Sequence, residues 1–232
     1  MTHDNTLRFT LAGRECRLET GPAPEVLLVE PIDENDLGFL QRETDYLTAH
    51  APRPFALATF LIRDWNRELT PWAAGPVFGK EPFGAGAPQT LAFITEALIP
   101  QLEQRYPALA GAPVVLGGYS LAALFALWAG YESSRFAGIA AASPSVWYPG
   151  WLDYARARKP QAGRIYLSLG DAEERTRNRT MATVGACIRE QSDLLARQGI
   201  DATLEWNPGN HFQDTDLRTA KGFVWAMGGA AR

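Results

Sequence analysis

The sequence predicts an α/β fold: a mainly parallel central sheet flanked by helices, stacked as a three-layer sandwich. Three observations carry this. Short apolar runs of strand composition alternate with longer stretches of helical periodicity along the chain. The run over 55–62 is almost unbroken in its apolar character, as in strands buried on both faces of a parallel sheet. A second apolar run, 113–117, passes through a tight turn at Ser120 into the apolar helical stretch 121–130. The 232 residues with 46% hydrophobic content are read as one domain, 1–232, with ample material for a core.

Taken in order, residues 7–11 and 16–19 flank Ala12-Gly13-Arg14 as an amino-terminal hairpin. A strand over 25–30 is expected to stop at Pro31, followed by a helix over 34–49 and the strand 55–62. The segment 63–87 is irregular and rich in Trp, Pro and Gly. Connections of that length are usually functional, so it is read as an active-site loop. Its Gly84-x-Gly86 lacks a preceding strand and a third glycine, which rules out a dinucleotide fingerprint. A helix over 88–106 should kink at Pro100. Beyond Ser120 the pattern gives a strand over 138–142, a polar helix over 151–158 and a strand over 164–169. An amphipathic stretch over 176–199, a last strand over 202–206 and a closing helix over 214–227 complete the chain.

A net charge of −4 without a Lys/Arg cluster argues against nucleic acid or an anionic membrane surface as partner. A small-molecule partner fits better, and a homodimer is compatible with this composition. Met1 to Asn5 show no basic region leading into an apolar core, and no apolar run is long enough to span a bilayer, so a cytoplasmic location is expected. Cys16 and Cys187 lie far apart without a CxxC partner, which suggests packing residues and neither a disulfide nor a zinc site. The Asn178-Arg179-Thr180 sequon should be silent in the cytoplasm. No cofactor and no metal are implied.

The chemistry is concentrated at Gly118-Tyr119-Ser120-Leu121-Ala122. A serine between strand and helix is the arrangement of a nucleophile elbow, where a strained backbone and close neighbours demand small flanking residues. Gly118 meets that demand, and Ala122 replaces the commoner glycine. The helix beginning there leaves its first N–H groups free, so the Leu121 amide is an oxyanion donor candidate. A serine hydroxyl needs a base, and the chain holds three histidines. His3 is near the start and His50 ends a helix, whereas His211 follows the last strand in a Gly/Asn-rich loop. The acid that orients such a ring is sought after the strand 164–169, among Asp171, Glu173 and Glu174. Glu173 is preferred: three residues past Gly170 it can turn inward while Asp171 caps the loop. Asp214 and Asp216 read as the N-cap and first turn of the closing helix.

Together these residues resemble the esterase D-like branch of the α/β-hydrolase superfamily, which includes siderophore-triester hydrolases. The resemblance runs from about Arg63 to the C-terminus. It is carried by Asp64-Trp65, Leu69-Thr70-Pro71-Trp72, Phe83-Gly84-Ala85-Gly86-Ala87, Leu98-Ile99-Pro100, Gly117 to Ala122, Ser143-Pro144-Ser145-Val146-Trp147, Gly170-Asp171-Ala172-Glu173 and Gly209-Asn210-His211-Phe212. It implies the α/β-hydrolase fold and a serine esterase with Ser120 as nucleophile, His211 as base and Glu173 as acid, although some relatives work with a Ser-His dyad. The second oxyanion donor in such folds comes from the loop after an earlier strand, here around Arg63, Asp64 and Trp65, with Trp65 the candidate. Trp72, Trp147 and Tyr148 are candidate substrate contacts, with packing of the loops as the competing role for the aromatic set. The expected function is hydrolysis of a small carboxylic ester through an acyl-enzyme. Acyl transfer by the same nucleophile and a non-catalytic binding role are the alternatives.

Overall fold

The computed structural model describes residues 6–228; the readings made on Met1 to Asn5, His3 included, lie outside the described residues. The strands are β1 (Thr6–Leu11), β2 (Arg14–Thr20), β3 (Val26–Ile32), β4 (Phe55–Leu61), β5 (Val114–Tyr119), β6 (Gly138–Ala142), β7 (Arg164–Gly170) and β8 (Asp201–Asn207). They form one sheet in the order β1-β2-β4-β3-β5-β6-β7-β8. From β4 to β8 every pairing is parallel, and the hairpin β1-β2 is added antiparallel along β4.

Because successive side chains point to opposite faces, each central strand feeds two cores. Val26, Leu28, Leu57 and Val115 pack with Leu47 and Phe223, from α1 (Leu40–His50) and α8 (Thr215–Ala226). Leu27, Val29, Ala58 and Leu116 face the other way into the larger cluster. That cluster is covered by α3 (Ala87–Ala92), α4 (Ile99–Arg105), α5 (Leu121–Glu132), α6 (Trp151–Arg156) and α7 (Val184–Arg197). Among them α5 is apolar all round and buried from Leu121 to Tyr131, as befits a helix enclosed on all sides. The remaining short helix, α2 (Trp65–Glu68), lies in the long connection after β4.

Sheet order reverses between β3 and β5, since the chain runs from β3 outward to β4 and returns to start β5 on the opposite side. Crevices at the carboxyl ends of strands flanking such a reversal are where α/β sheets bind ligands. The pairing of β3 with β5 stops at Val29 and Leu116, so the two strands part before their ends. This explains a departure from expectation: β3 does not stop at Pro31 but runs to Ile32, pairing Pro31 with Phe60 on β4. Leu27 turns its N–H toward β5, and Pro31 has the same orientation two pairs along. Its missing donor therefore points at the opening, where nothing is left to pair.

Three helices also differ from expectation, one of them α7, which begins only at Val184 within the stretch expected over 176–199, after a short turn over Met181–Thr183. The helix expected over 34–49 begins only at Leu40, after a short turn over Asp36–Gly38. Asp33 accepts from the N–H groups of Asn35 and Asp36, an Asx-type turn that competes with helix. The helix expected over 88–106 is present from Ala87 to Arg105 with a wide π turn at Phe93–Leu98. Pro100 sits in the first turn of α4 just beyond it, where a missing N–H is tolerated.

Candidate active site

Ser120 stands at the end of β5 and the start of α5 with φ 59° and ψ −116°. A serine in this region carries strain of about 1–3 kcal/mol and persists only where neighbours fix it. Here its N–H donates to the Ala142 carbonyl at 3.1 Å, and its own carbonyl accepts from Leu124 N at 3.0 Å and Ser145 N at 3.1 Å. The turn is tight enough that a Cβ on Gly118 would lie 2.7 Å from the Ala122 Cβ. Gly118 is therefore a steric requirement, and the alanine at 122 fits because its partner across the turn is glycine.

The loop after β8 brings His211 over the sheet, with its Nε2 at 3.0 Å from Ser120 Oγ. Its Nδ1 lies 2.7 Å from Glu173 Oε2. A neutral ring that donates Nδ1–H to Glu173 presents Nε2 as acceptor for the serine hydroxyl, the arrangement a general base needs. Glu173 comes from the turn after β7, where its N–H closes on the Gly170 carbonyl at 3.2 Å. Its Oε1 accepts from Ser143 Oγ at 2.7 Å, Gly170 N at 2.8 Å and Arg218 Nη1 at 3.2 Å. Burial pushes the Glu173 pKa up, but the His211 ring and the Ser143 and Gly170 donors outweigh it and hold the carboxyl below its ordinary value.

Arg218, Tyr119 and Ser143 support this hydrogen-bond chain without any sequence signal of that role. Arg218, on α8 and 2% exposed, also donates to Tyr119 Oη at 3.0 Å and to the Pro208 carbonyl at 2.8 Å. Tyr119 in turn donates to the His211 carbonyl at 2.9 Å; burial first and then the Glu173 charge push its pKa up to about 12, so the phenol keeps its proton. Ser143, at φ 45°, opens the Ser143-Pro144-Ser145 segment, whose composition does not mark it as a partner of a carboxylate. Nothing in the spacing of α8 marks Arg218 as facing a carboxylate.

Asp171 accepts from Gly209 N at 2.9 Å and ties the β7 and β8 loops, while Glu174 pairs with Arg189 at 3.0 Å. His50 donates its Nδ1–H to the Tyr46 carbonyl at 2.8 Å, at the end of α1. Cys16 and Cys187 are free thiols. Leu121 opens α5. In the long connection, Glu68 Oε1 accepts from the N–H groups of Arg63 and Asp64 at 3.1 and 3.0 Å, which leaves the first N–H of α2, that of Trp65, out of those bonds. Trp65 lines the same cleft as Ser120 and His211.

Trp72, Trp147 and Tyr148 meet each other's loops and are absent from that cleft's lining. Trp72 Nε1 donates to the Pro149 carbonyl at 2.8 Å and Tyr148 Oη to the Trp72 carbonyl at 2.5 Å. Phe83 packs on both Trp147 and Tyr148. This aromatic group pins the long connection onto the segment after β6. Gly84 and Gly86 serve the same docking, since a Cβ on either would fall within 2.7 Å of Arg67 atoms.

Comparison with known proteins matches residues 62–213 to the family described as "Putative esterase". Among solved structures, siderophore hydrolase EstB from Aspergillus nidulans superposes with a TM-score of 0.77 at 20% identity, covering 97% of this chain and 94% of that one. Siderophore hydrolase EstA from the same organism gives 0.73 at 20% identity, with 95% and 93% covered. An IroE-like serine hydrolase from Shewanella oneidensis gives 0.76 at 16% identity, with 95% and 78% covered. At these identities the likeness speaks for the fold. A search of curated proteins gave no match.

Proposed function

The chain belongs to the esterase family of α/β-hydrolase fold and is a carboxylic ester hydrolase, and on that premise we propose that it works through an acyl-enzyme on Ser120. The observation that carries this reading is the continuous hydrogen-bond chain from Ser120 Oγ through the His211 ring to Glu173, anchored on a strained serine. Ser120 Oγ attacks the ester carbonyl while His211 Nε2 takes its proton. The Leu121 N–H and the Trp65 N–H stabilise the oxyanion. The alcohol leaves with the proton that His211 returns, and a water repeats the sequence on the acyl-serine to release the acid. Glu173 holds the ring in the tautomer this requires and stabilises the imidazolium that forms.

In this reading 63–87 is an active-site loop because it carries Trp65. Trp72, Trp147 and Tyr148 act on the substrate indirectly, by fixing that loop. The substrate is a small-molecule ester, and because similar folds occur in proteins described as siderophore hydrolases, siderophore esters belong beside simple aryl esters in the first panel. The test is rapid quenching of p-nitrophenyl ester turnover followed by mass analysis of the Ser120 peptide, with methanol as a competing acceptor. An acyl adduct on Ser120, absent in Ser120→Ala, is expected, with free acid as the main product. Turnover without the adduct would remove the acyl-enzyme, and methyl ester as the main product would favour acyl transfer.

A further inference from the structure

The cleft beside Ser120 has a character that ester hydrolysis alone does not explain. It encloses about 210 Å³ at the opening between β3 and β5, with Ser120 and His211 on one wall. Its lining includes five carboxyl side chains and neither lysine nor arginine. Glu30 reaches it from β3, Glu43 from α1 and Asp216 from the first turn of α8. All three are at least nine-tenths buried, at 5%, 3% and 5% exposure. Glu30 Oε2 and Glu43 Oε1 are buried without a hydrogen-bond partner among the described residues, and burial, joined by the Asp36 charge at Glu30 and by the Glu30 charge at Glu43, raises both pKa values. Asp216 receives Arg42 on Oδ1 from the solvent side at 3.3 Å, while its buried Oδ2 has no hydrogen-bond partner among the described residues. A buried carboxylate oxygen without a donor is costly. The mouth of the cleft carries Phe39 and Phe212, 50% and 85% exposed.

A floor of carboxyls short of donors beneath aromatic faces is complementary to a cation on an apolar arm, through charge-assisted hydrogen bonds and cation–π contact. No three His, Cys, Asp or Glu side chains among the described residues are grouped to hold a metal ion, which favours an organic cation over an inorganic one. We propose that this cleft is a subsite for an organic ammonium group, so that the esters the enzyme prefers carry a protonated amine on an apolar arm. The proposal rests on Ser120 as the nucleophile only in its statement about esters; the subsite is defined by Asp216, Glu43 and Glu30. Entry of the ammonium releases a proton held by the buried Glu30 and Glu43 carboxyls to the buffer. The burial that raises the Glu30 pKa to about 8 is the reason this proton is present at neutral pH.

Two measurements decide it. The first compares kcat/KM for p-nitrophenyl ε-aminocaproate with its N-acetyl derivative, and for ε-aminohexyl acetate with hexyl acetate, in wild type, Glu43→Gln and Glu30→Gln. A preference of about tenfold or more for the free amine on at least one arm, as one charge-assisted contact gives, is expected, and it should fall toward unity in both variants while the neutral esters are still turned over. The second is calorimetry with n-hexylammonium and n-hexanol on Ser120→Ala protein, in buffers of different ionisation enthalpy. Binding of the ammonium alone, with proton release that Glu43→Gln abolishes, is expected. Equal rates for amine and capped esters on both arms, a preference that survives both variants, or binding of calcium in place of hexylammonium would overturn the subsite. Ester turnover retained in Ser120→Ala, with ammonium binding intact, would count against the acyl-enzyme and leave the subsite standing.

Discussion

Ser120 illustrates how much of the site a single backbone angle decides. Its positive φ lifts Oγ out of the β5 line toward His211, and the serine was legible because small residues and a strand-to-helix change surround it. His211 was legible by elimination among three histidines, and Glu173 by its offset from Gly170. Arg218 was not, because a lone arginine on a helix carries no sign of what it faces. Ser120→Ala should lower kcat/KM by at least about 10³-fold. Glu173→Gln should cost about 10²–10⁴ in kcat, through loss of the ring's tautomer, with KM nearly unchanged. Arg218→Met breaks a buried pair and leaves Glu173 short of a donor, so denaturant unfolding should report a loss of about 3–5 kcal/mol. Glu173 has a folded pKa below its ordinary value, so its contribution to stability is full above pH 4.5 and is lost as the pH falls further.

At the scale of elements, the turn between β5 and α5 depends on the contact between Gly118 and Ala122. Gly118→Ala should destabilise by about 1–3 kcal/mol through overpacking, measured by thermal or denaturant unfolding. Adding Ala122→Gly should recover part of the loss, because the side-chain clash at 2.7 Å goes while the Ala122 backbone carbon, at 3.0 Å, remains. Full recovery would mean that the backbone contact does not matter. Element type was readable for the strands and the longer helices, since period and composition state it directly, whereas the four-residue α2 inside 63–87 is too short to show a period. Boundaries failed where tertiary context overrode local signals. Pro31 continues β3 because its neighbour strand has already diverged, a fact about the sheet and not about proline. The late start of α1 follows from Asp33 capturing two N–H groups, which a polar helix start and a polar turn do not distinguish.

Across the whole molecule, the reversal of strand order makes an opening, and Ser120, His211 and the acidic side chains line one cleft there. The cleft gives stability a pH dependence opposite to that of Glu173. Burial, then the Asp36 charge, raise the Glu30 pKa from 4.5 to about 8, and burial raises that of Asp36 from 3.8 to about 6. The groups around them are Asp33 and Asp36 in the turn before α1, Arg42 and Glu43 on α1, Asp216 on α8, and Tyr119 and His211 across the opening. The folded state binds more protons than the unfolded one between pH 4.5 and about 8, so stability falls as pH rises through that window. Melting temperature measured from pH 5 to 8 should therefore decline less steeply in Glu30→Gln than in wild type, and equal slopes would contradict the buried carboxyl pair.

The central claim is that Ser120 is an activated nucleophile, and labelling by a fluorophosphonate probe tests it most directly. The folded protein should gain one phosphonyl adduct, located on Ser120, and both Ser120→Ala and His211→Ala should lose it. Folded wild-type protein that hydrolyses esters while Ser120 stays unlabelled would contradict the account.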